Sequence, residues 1–412
     1  MNNFMETYGK AIFVLVIVAI LIAFAGPLGM KIKNATTDKV SQTEQIGCNE
    51  ISAAVGKTDD SEIGGSVRPA EPTEAVDKVY CIYYDDGEMT ISQNEIEPES
   101  GRTVVNKGFY ESPCYCSQQM TTVNFVEAVK PKSCYGWFQY CKKLTQIENI
   151  ENLCLPSDIR NMFFCCESLT SLSLSPFYTS KVTDMNYLFK GCTSLTTIIL
   201  GDNFDTSNVA EMKGLFTECE SLTSIEFGNN FNTSKVTNMS GLFYWCKSLI
   251  NLDLTKFDTS NVNDMSSMFQ NCDSLTNITF GDNFNTSAVT KMDSMFHYCK
   301  ALTNITFLTK FDTSNVNNMS YMFFGCYSLT NITFGDNFNT SAVTKMDSMF
   351  SWCTSLKTID ISHFNTSNTK SMISMFARST KITSVNVSQA TYDKLKTVSN
   401  LGITADKFNI VK

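Results

Sequence analysis

Ser274 to Phe296 reads SLTNITFGDNFNTSAVTKMDSMF, and the identical string returns at Ser328 to Phe350, 54 positions later. A looser copy lies between the two, and others fill most of the flanking chain, so the unit is 27 residues long. Self-similarity at a fixed period of this size signals a solenoid, in which each unit is one turn stacked on the next. Cysteine marks the period: Cys141, Cys166, Cys192, Cys219, Cys246, Cys272, Cys299, Cys326 and Cys353 each lie three residues after a phenylalanine, at steps of 25 to 27. In a last copy, Met375-Phe376-Ala377-Arg378-Ser379, a serine stands where the cysteine is expected.

Each cysteine is followed by apolar residues at L-x-x-L-x-L spacing, as at Leu195, Ile198 and Leu200, or Leu302, Ile305 and Phe307. This spacing predicts a short strand. A Phe-x-Thr-Ser turn comes next, as at Phe284-Asn285-Thr286-Ser287, and then Val289, Met292, Met295 and Phe296. Apolar residues at i, i+3, i+6 and i+7 predict one face of a two-turn helix, with the Thr-Ser pair as its N-cap. The fold class read from the residues is an α/β repeat solenoid, one short parallel strand plus one short helix in each coil of 26–27 residues. A single coil buries too few side chains to offset the entropy of ordering it, so its stability comes from stacking.

The string F-D/N-T-S-x-V-x-x-M-x-x-M-F-x-x-C-x-S-L-T resembles the BspA-like leucine-rich-repeat surface proteins, in the subfamily with cysteine-bearing repeats of about this length. Matching positions include Phe257-Asp258-Thr259-Ser260, Val262, Met265, Met268-Phe269, Cys272 and Ser274-Leu275-Thr276, and the likeness runs from about Cys134 to Val387. The resemblance implies a leucine-rich-repeat fold and an exported, surface-displayed protein engaged in adhesion or interaction. It brings no residue-level site.

The rest of the chain divides around the array. Residues 11–30, AIFVLVIVAILIAFAGPLGM, carry no charge and are long enough to span a bilayer as a helix. They are read as an anchor; cleavage after Ala25, at the Ala23-Phe24-Ala25 site, is the alternative and would release the protein. Residues 1–30 thus form an anchor or signal segment, 31–77 a polar linker, 78–133 a β-rich cap, 134–388 the solenoid and 389–412 a C-terminal cap. In the first cap, Val79–Tyr84, Asp85-Asp86-Gly87 and Glu88–Ile91 read as a hairpin with a D-G turn, and Thr121–Val129 as a further strand. In the second, Tyr392, Leu395 and Val398 are spaced for a capping helix.

A net charge of −9 argues against a nucleic-acid partner, which would need a basic patch. The periodic cysteines read as a ladder of buried thiols. Those off the ladder in the first cap, Cys81, Cys114, Cys116 and Cys134, lack the spacing of a known zinc finger and leave disulfides and free thiols both open. Neither His297 nor His363 lies in a catalytic motif, and no nucleophile–base pair appears. The methionines recurring with Met239, Met265, Met292, Met319 and Met346 read as core. Asp202, Asp282 and Asp336 sit in a repeated Gly-Asp-Asn turn that other copies replace with a lysine-bearing one, which opposes calcium. No catalytic, cofactor or metal residue is therefore assigned.

Function is read from the strand positions that alternate away from the core. Asn251 and Asp253, Asn277 and Thr279, Asn304 and Thr306, and Asn331 and Thr333 are expected to tile one hydrogen-bonding, nearly neutral face. Solenoids bind partners on such extended sheets, so the expectation is a membrane-tethered surface protein binding an extracellular protein or glycan there. A structural rod or pilin-like filament subunit is the alternative.

Overall fold

The computed structural model describes residues 72–307 and 310–411. The expectations for residues 1–30, for the polar stretch to residue 71 and for Cys48 lie outside these residues. Among the described residues, no helix is long and apolar enough to cross a membrane.

The hairpin forms as read, with β1 (Val79–Tyr84) antiparallel to β2 (Glu88–Ser92). Gly87 turns it at φ 93°, and a Cβ there would lie 2.6 Å from Thr121 Oγ1. An unanticipated strand, β3 (Val104–Tyr110), pairs antiparallel with the outer edge of β1. On the other side β4 (Thr122–Phe125) and β5 (Gln146–Glu148) add in parallel, so this five-stranded sheet converts a hairpin into the parallel register of the coils.

One short strand per coil follows: β6 (Ser171–Ser173), β7 (Thr197–Ile199), β8 (Ser224–Glu226), β9 (Asn251–Leu254), β10 (Asn277–Phe280), β11 (Asn304–Thr306), β12 (Asn331–Thr333), β13 (Thr358–Asp360) and β14 (Ser384–Val387). The predicted capping helix is α1 (Gln389–Leu395), whose N-cap Ser388 accepts a hydrogen bond from Thr391 N–H at 3.3 Å. Beyond it β15 (Phe408–Ile410) pairs with β14, an end strand not anticipated from the sequence.

The expected helix of each coil does not form. Val289, Met292, Met295, Phe296 and Cys299 are all fully buried, as the periodicity requires, but the backbone that carries them is a staircase of tight turns. Ser294 and Tyr298 hold φ of 59° and 57°, and each coil from Gly136/Tyr140 to Ser374/Arg378 has such a left-handed pair four residues apart. The reason lies in where the peptide groups must point. Met295, His297 and Cys299 donate three residues back within the coil, to Met292, Ser294 and Phe296. The intervening Met292, Ser294, Phe296 and Tyr298 donate instead to Asn318, Ser320, Met322 and Phe324 of the next coil, at 2.7–3.3 Å. An α-helix would keep nearly all of these bonds to itself. The alternating staircase gives half of them to its neighbour.

The Thr-Ser pair is not an N-cap either. Thr286 is buried, and its hydroxyl donates to the Asp312 carbonyl of the next coil at 2.7 Å. Thr206, Thr233, Thr259 and Thr313 repeat this bond.

Two columns fill the interior behind the staircase. Phe138, Phe163, Phe189, Phe216, Phe243, Phe269, Phe296, Phe323, Phe350 and Phe376 stack ring on ring with centroids 5.4–5.9 Å apart. Such offset pairs are each worth about 0.5–1.5 kcal/mol beyond their buried area. Beside them runs the cysteine column. From Cys166 to Cys353, every periodic thiol donates to the phenylalanine carbonyl of the preceding coil at 3.1–3.2 Å. Ser379 makes the same bond to Phe350 at 2.6 Å, which explains how serine can replace cysteine in the last copy.

All described cysteines are unbridged. Burial raises the pKa of the ladder thiols, that of Cys326 to about 12. Cys165 is the only described cysteine that is half-buried rather than buried. In a variant with Cys48 replaced, a thiol-reactive dye should modify Cys165 alone in native protein and the rest only on unfolding. Prompt native reaction of several thiols would contradict the buried column. Cys272→Ser should keep its bond to Phe243 and lose less stability in urea unfolding than Cys272→Ala, which leaves a cavity and costs about 1–2 kcal/mol. The reverse order would show that the ladder bond contributes nothing.

Candidate functional site

The strand face is built by alternation. Ile305 and Ile332 point inward and are 5% and 8% exposed, while Asn304, Thr306, Asn331 and Thr333 on either side of them are exposed. Asn251, Asp253, Asn277 and Thr279 are exposed in the same way. Register stacks equivalent positions: Asn277 lies beside Asn251 and Thr279 beside Asp253, and Asn304 lies beside Asn331 and Thr306 beside Thr333. Every one of the eight residues singled out from the sequence therefore sits on one side of its strand, with polar atoms facing outward.

The face is not one continuous sheet. β6–β8, β9–β10, β11–β12 and β13–β15 are separate hydrogen-bonded groups. Between β10 and β11 the ladder opens into a hollow of about 360 Å³. Asn277, Thr279, Asn304 and Thr306 form its rim, and Ile278, Phe280, Leu302 and Ile305 its floor. A similar hollow of about 380 Å³ lies between β5 and β6, over Ile147, Leu169 and Leu172. The strand pattern could not reveal these gaps, because an unpaired strand has the same alternation as a paired one.

The staircase face carries the aromatic groups that the strand face lacks, and these were missed. His297, Tyr298, Tyr321, Phe324, Tyr327 and Trp352 form a connected cluster over three coils, with ring centroids 4.6–6.5 Å apart. Tyr321 and Trp352 are 43% and 42% exposed. The available signal was that these residues occupy positions that vary from copy to copy, where the core sets no requirement.

The other sequence-marked groups do not converge. Among the described residues no three His, Cys, Asp or Glu side chains are placed to hold a metal ion. His363 packs against Phe334, Phe338 and Phe364. His297 lies among Tyr298, Tyr321 and Phe324, and its buried Nδ1 has no hydrogen-bond partner. Desolvation lowers its pKa from 6.5 to about 4. Between those values the unfolded chain binds a proton that the folded chain does not, so stability is lost as the pH falls. Denaturant midpoints should drop from pH 7 towards pH 5, with a shallower slope in His297→Phe. An unchanged slope would place the acid sensitivity elsewhere.

A family model described as "Mycoplasma protein of unknown function, DUF285" matches residues 157–280, 222–328, 276–383 and 303–411. Together these windows cover 157–411, which is 255 of 412 residues. No curated protein matches the chain. Solved structures similar to it include a leucine rich cell surface protein from Faecalibacterium prausnitzii, 18% identical, covering 70% of this chain and 94% of that one at a TM-score of 0.27. The T. pallidum leucine rich repeat protein is 16% identical over 70% of this chain and 91% of its own, also at 0.27. A leucine-rich repeat protein from Eubacterium ventriosum is 18% identical over 77% and 92%, at 0.26. Likeness of that extent fixes neither partner nor activity.

Proposed function

We propose that this chain, which belongs to the DUF285 family of mycoplasma proteins of unknown function, is a non-enzymatic binding solenoid displayed at the cell surface. Its partner surface is the strand face, and the partner is an extracellular protein, with a glycan as the other class that such a face can serve. The observation that carries this reading is the hollow between β10 and β11. Its apolar floor offers burial, and its rim of amides and hydroxyls offers hydrogen bonds without a net charge to repel either sign of partner.

The break in the ladder favours a polypeptide. Strand edges that pair with no neighbour present free backbone donors and acceptors, the groups by which an extended peptide adds to a sheet. Surface display rests on the uncharged stretch 11–30, as an anchor or as a segment cleaved after Ala25, and on the resemblance to the BspA-like subfamily. Adhesion follows if the partner belongs to another cell or its matrix.

The double variant Thr279→Lys/Thr306→Lys places two charges on the rim, at exposed positions where substitutions cost within about 0.5 kcal/mol of stability. Binding to a panel of immobilised extracellular proteins should fall at least about tenfold, a loss of 1.4 kcal/mol, with an unchanged melting temperature. Undiminished binding by the folded variant would remove the strand face from consideration.

A further inference from the structure

The staircase face contains a second hollow that the strand-face reading does not use. It has a volume of about 320 Å³ and is lined by Gly214 and Gly241 together with the rings of Tyr187 and Tyr244. It exists because two successive coils carry glycine at the first left-handed position, with φ of 59° and 62°. Most other coils carry a side chain there: Asn161, Tyr187, Ser267, Ser294, Tyr321, Ser348 and Ser374. The Tyr187 ring lies so close over Gly214 that a Cβ would stand 2.6 Å from its Cδ1. Over Gly241 there is room, since a Cβ would meet nothing nearer than 3.6 Å. Here glycine leaves a space that the fold does not itself need empty.

The lining indicates what fits. Ligands that bind through apolar contact enter apolar pockets, whereas this one is lined by the hydroxyl-bearing Thr217, Ser240 and Ser266 and by charged side chains. Charges largely cancel: Lys190 lies 3.6 Å from Glu218, and Asp264 lies 3.2 Å from Lys291. Lys213 is left over, exposed and 5.8 Å from the Tyr187 ring centroid, without a carboxylate in ion-pair range among the described residues. One surplus ammonium is too little for a polyphosphate, which calls for several cations or a nest of N–H groups. Two tyrosine rings, several hydroxyls and a single cation complement a ring with an apolar C–H face, many hydroxyls and one carboxylate.

We propose that this hollow is a binding site for an acidic saccharide, with the sugar ring between Tyr187 and Tyr244 and its carboxylate on Lys213. The site is independent of the strand face and can fail without it.

The test uses the full-length protein and immobilised neutral, uronate-bearing and sialate-bearing oligosaccharides, followed by titration with the free sugars. The acidic sugars should bind with a Kd of about 0.1–1 mM, as suits a single open subsite. Gly241→Tyr should abolish binding in a protein that still folds, with a modestly lowered melting temperature, because Tyr187 and Tyr321 show that tyrosine is accommodated at the equivalent position at φ near 60° although a side chain there costs more than glycine. If that variant does not fold, Gly241→Asn fills the same space with a smaller side chain, one that Asn161 already carries at the equivalent position. Lys213→Gln should erase the preference for acidic over neutral sugars, and Thr279→Lys/Thr306→Lys should leave saccharide binding intact. The proposal is overturned if no saccharide binds, if only neutral ones do, if a folded Gly241 variant binds like wild type, or if the hollow instead takes up only a polypeptide.

Discussion

The structure depends on one constraint: alternate peptide groups of the staircase must point along the stack. Ser294, Phe296 and Tyr298 send their N–H groups to the next coil, while His297 and Cys299 close turns within their own. A pair of left-handed residues four positions apart in each coil keeps this alternation going, because each reverses the peptide plane before a helix can propagate. The resulting bridge runs without a break from Asp158 to Ser371. The strand ladder, by contrast, is interrupted between β8 and β9, β10 and β11, and β12 and β13. Coil-to-coil continuity therefore resides in the staircase, with its phenylalanine and cysteine columns behind it, and the strands are the looser side.

This division frees each face in a different way. On the strand side, openings can form between groups without breaking the stack, which is how Ile278 and Leu302 come to floor a solvent-accessible hollow. On the staircase side the backbone is hydrogen-bonded from coil to coil without a break, while the side chains at the left-handed positions vary. Tyr, Trp, Ser, Asn, Glu, Arg and Gly all occur there. A solenoid of near-identical coils can in this way carry locally distinct surfaces, the aromatic cluster over three coils and the glycine-floored hollow among them, while its interior stays uniform.

Much of the fold was legible in the sequence, since the period fixed the coil length, the inward-facing residues and the cysteine column. The hairpin with its Gly87 turn and the capping helix were equally readable, as local turn and spacing signals carry them. The supposed helix was misread because Val289, Met292, Met295 and Phe296 bury one face in either conformation; spacing reports which side chains go inward but not how the peptides between them are oriented. The evidence against a helix was nevertheless present. Glycine appears at Gly136, Gly214 and Gly241 in one column and at Gly191 and Gly325 in another, with Asn161 and Asn271 joining them. Glycine and asparagine scattered among the copies at two fixed positions mark left-handed backbone, as these residues adopt it at least cost. The strands β3 and β15 were missed for a different reason: both complete sheets begun elsewhere, and a pairing partner far along the chain leaves no local pattern.

The eight strand-face residues are exposed on one side of their strands because alternation is a property of the strand itself. What the sequence could not give is the depth of the surface they share. Whether a partner meets a flat sheet or an apolar-floored hollow depends on the pairing between coils. The turn glycines bring successive coils close together. Gly281 approaches the preceding coil so closely that a Cβ would lie 2.5 Å from the Thr255 carbonyl oxygen, and at Gly228 it would lie 1.9 Å from that of Gly201. Only glycine permits these approaches, and they fall where β10 pairs with β9 and β8 with β7. The coils that follow, with β11 and β9, begin new groups. Gly201 makes an equally close approach, a Cβ there lying 2.5 Å from Ser175 Oγ, yet β8 pairs with β7 beyond it. Glycine at this turn therefore lets a coil sit tightly on the one before it, without deciding by itself where the ladder opens.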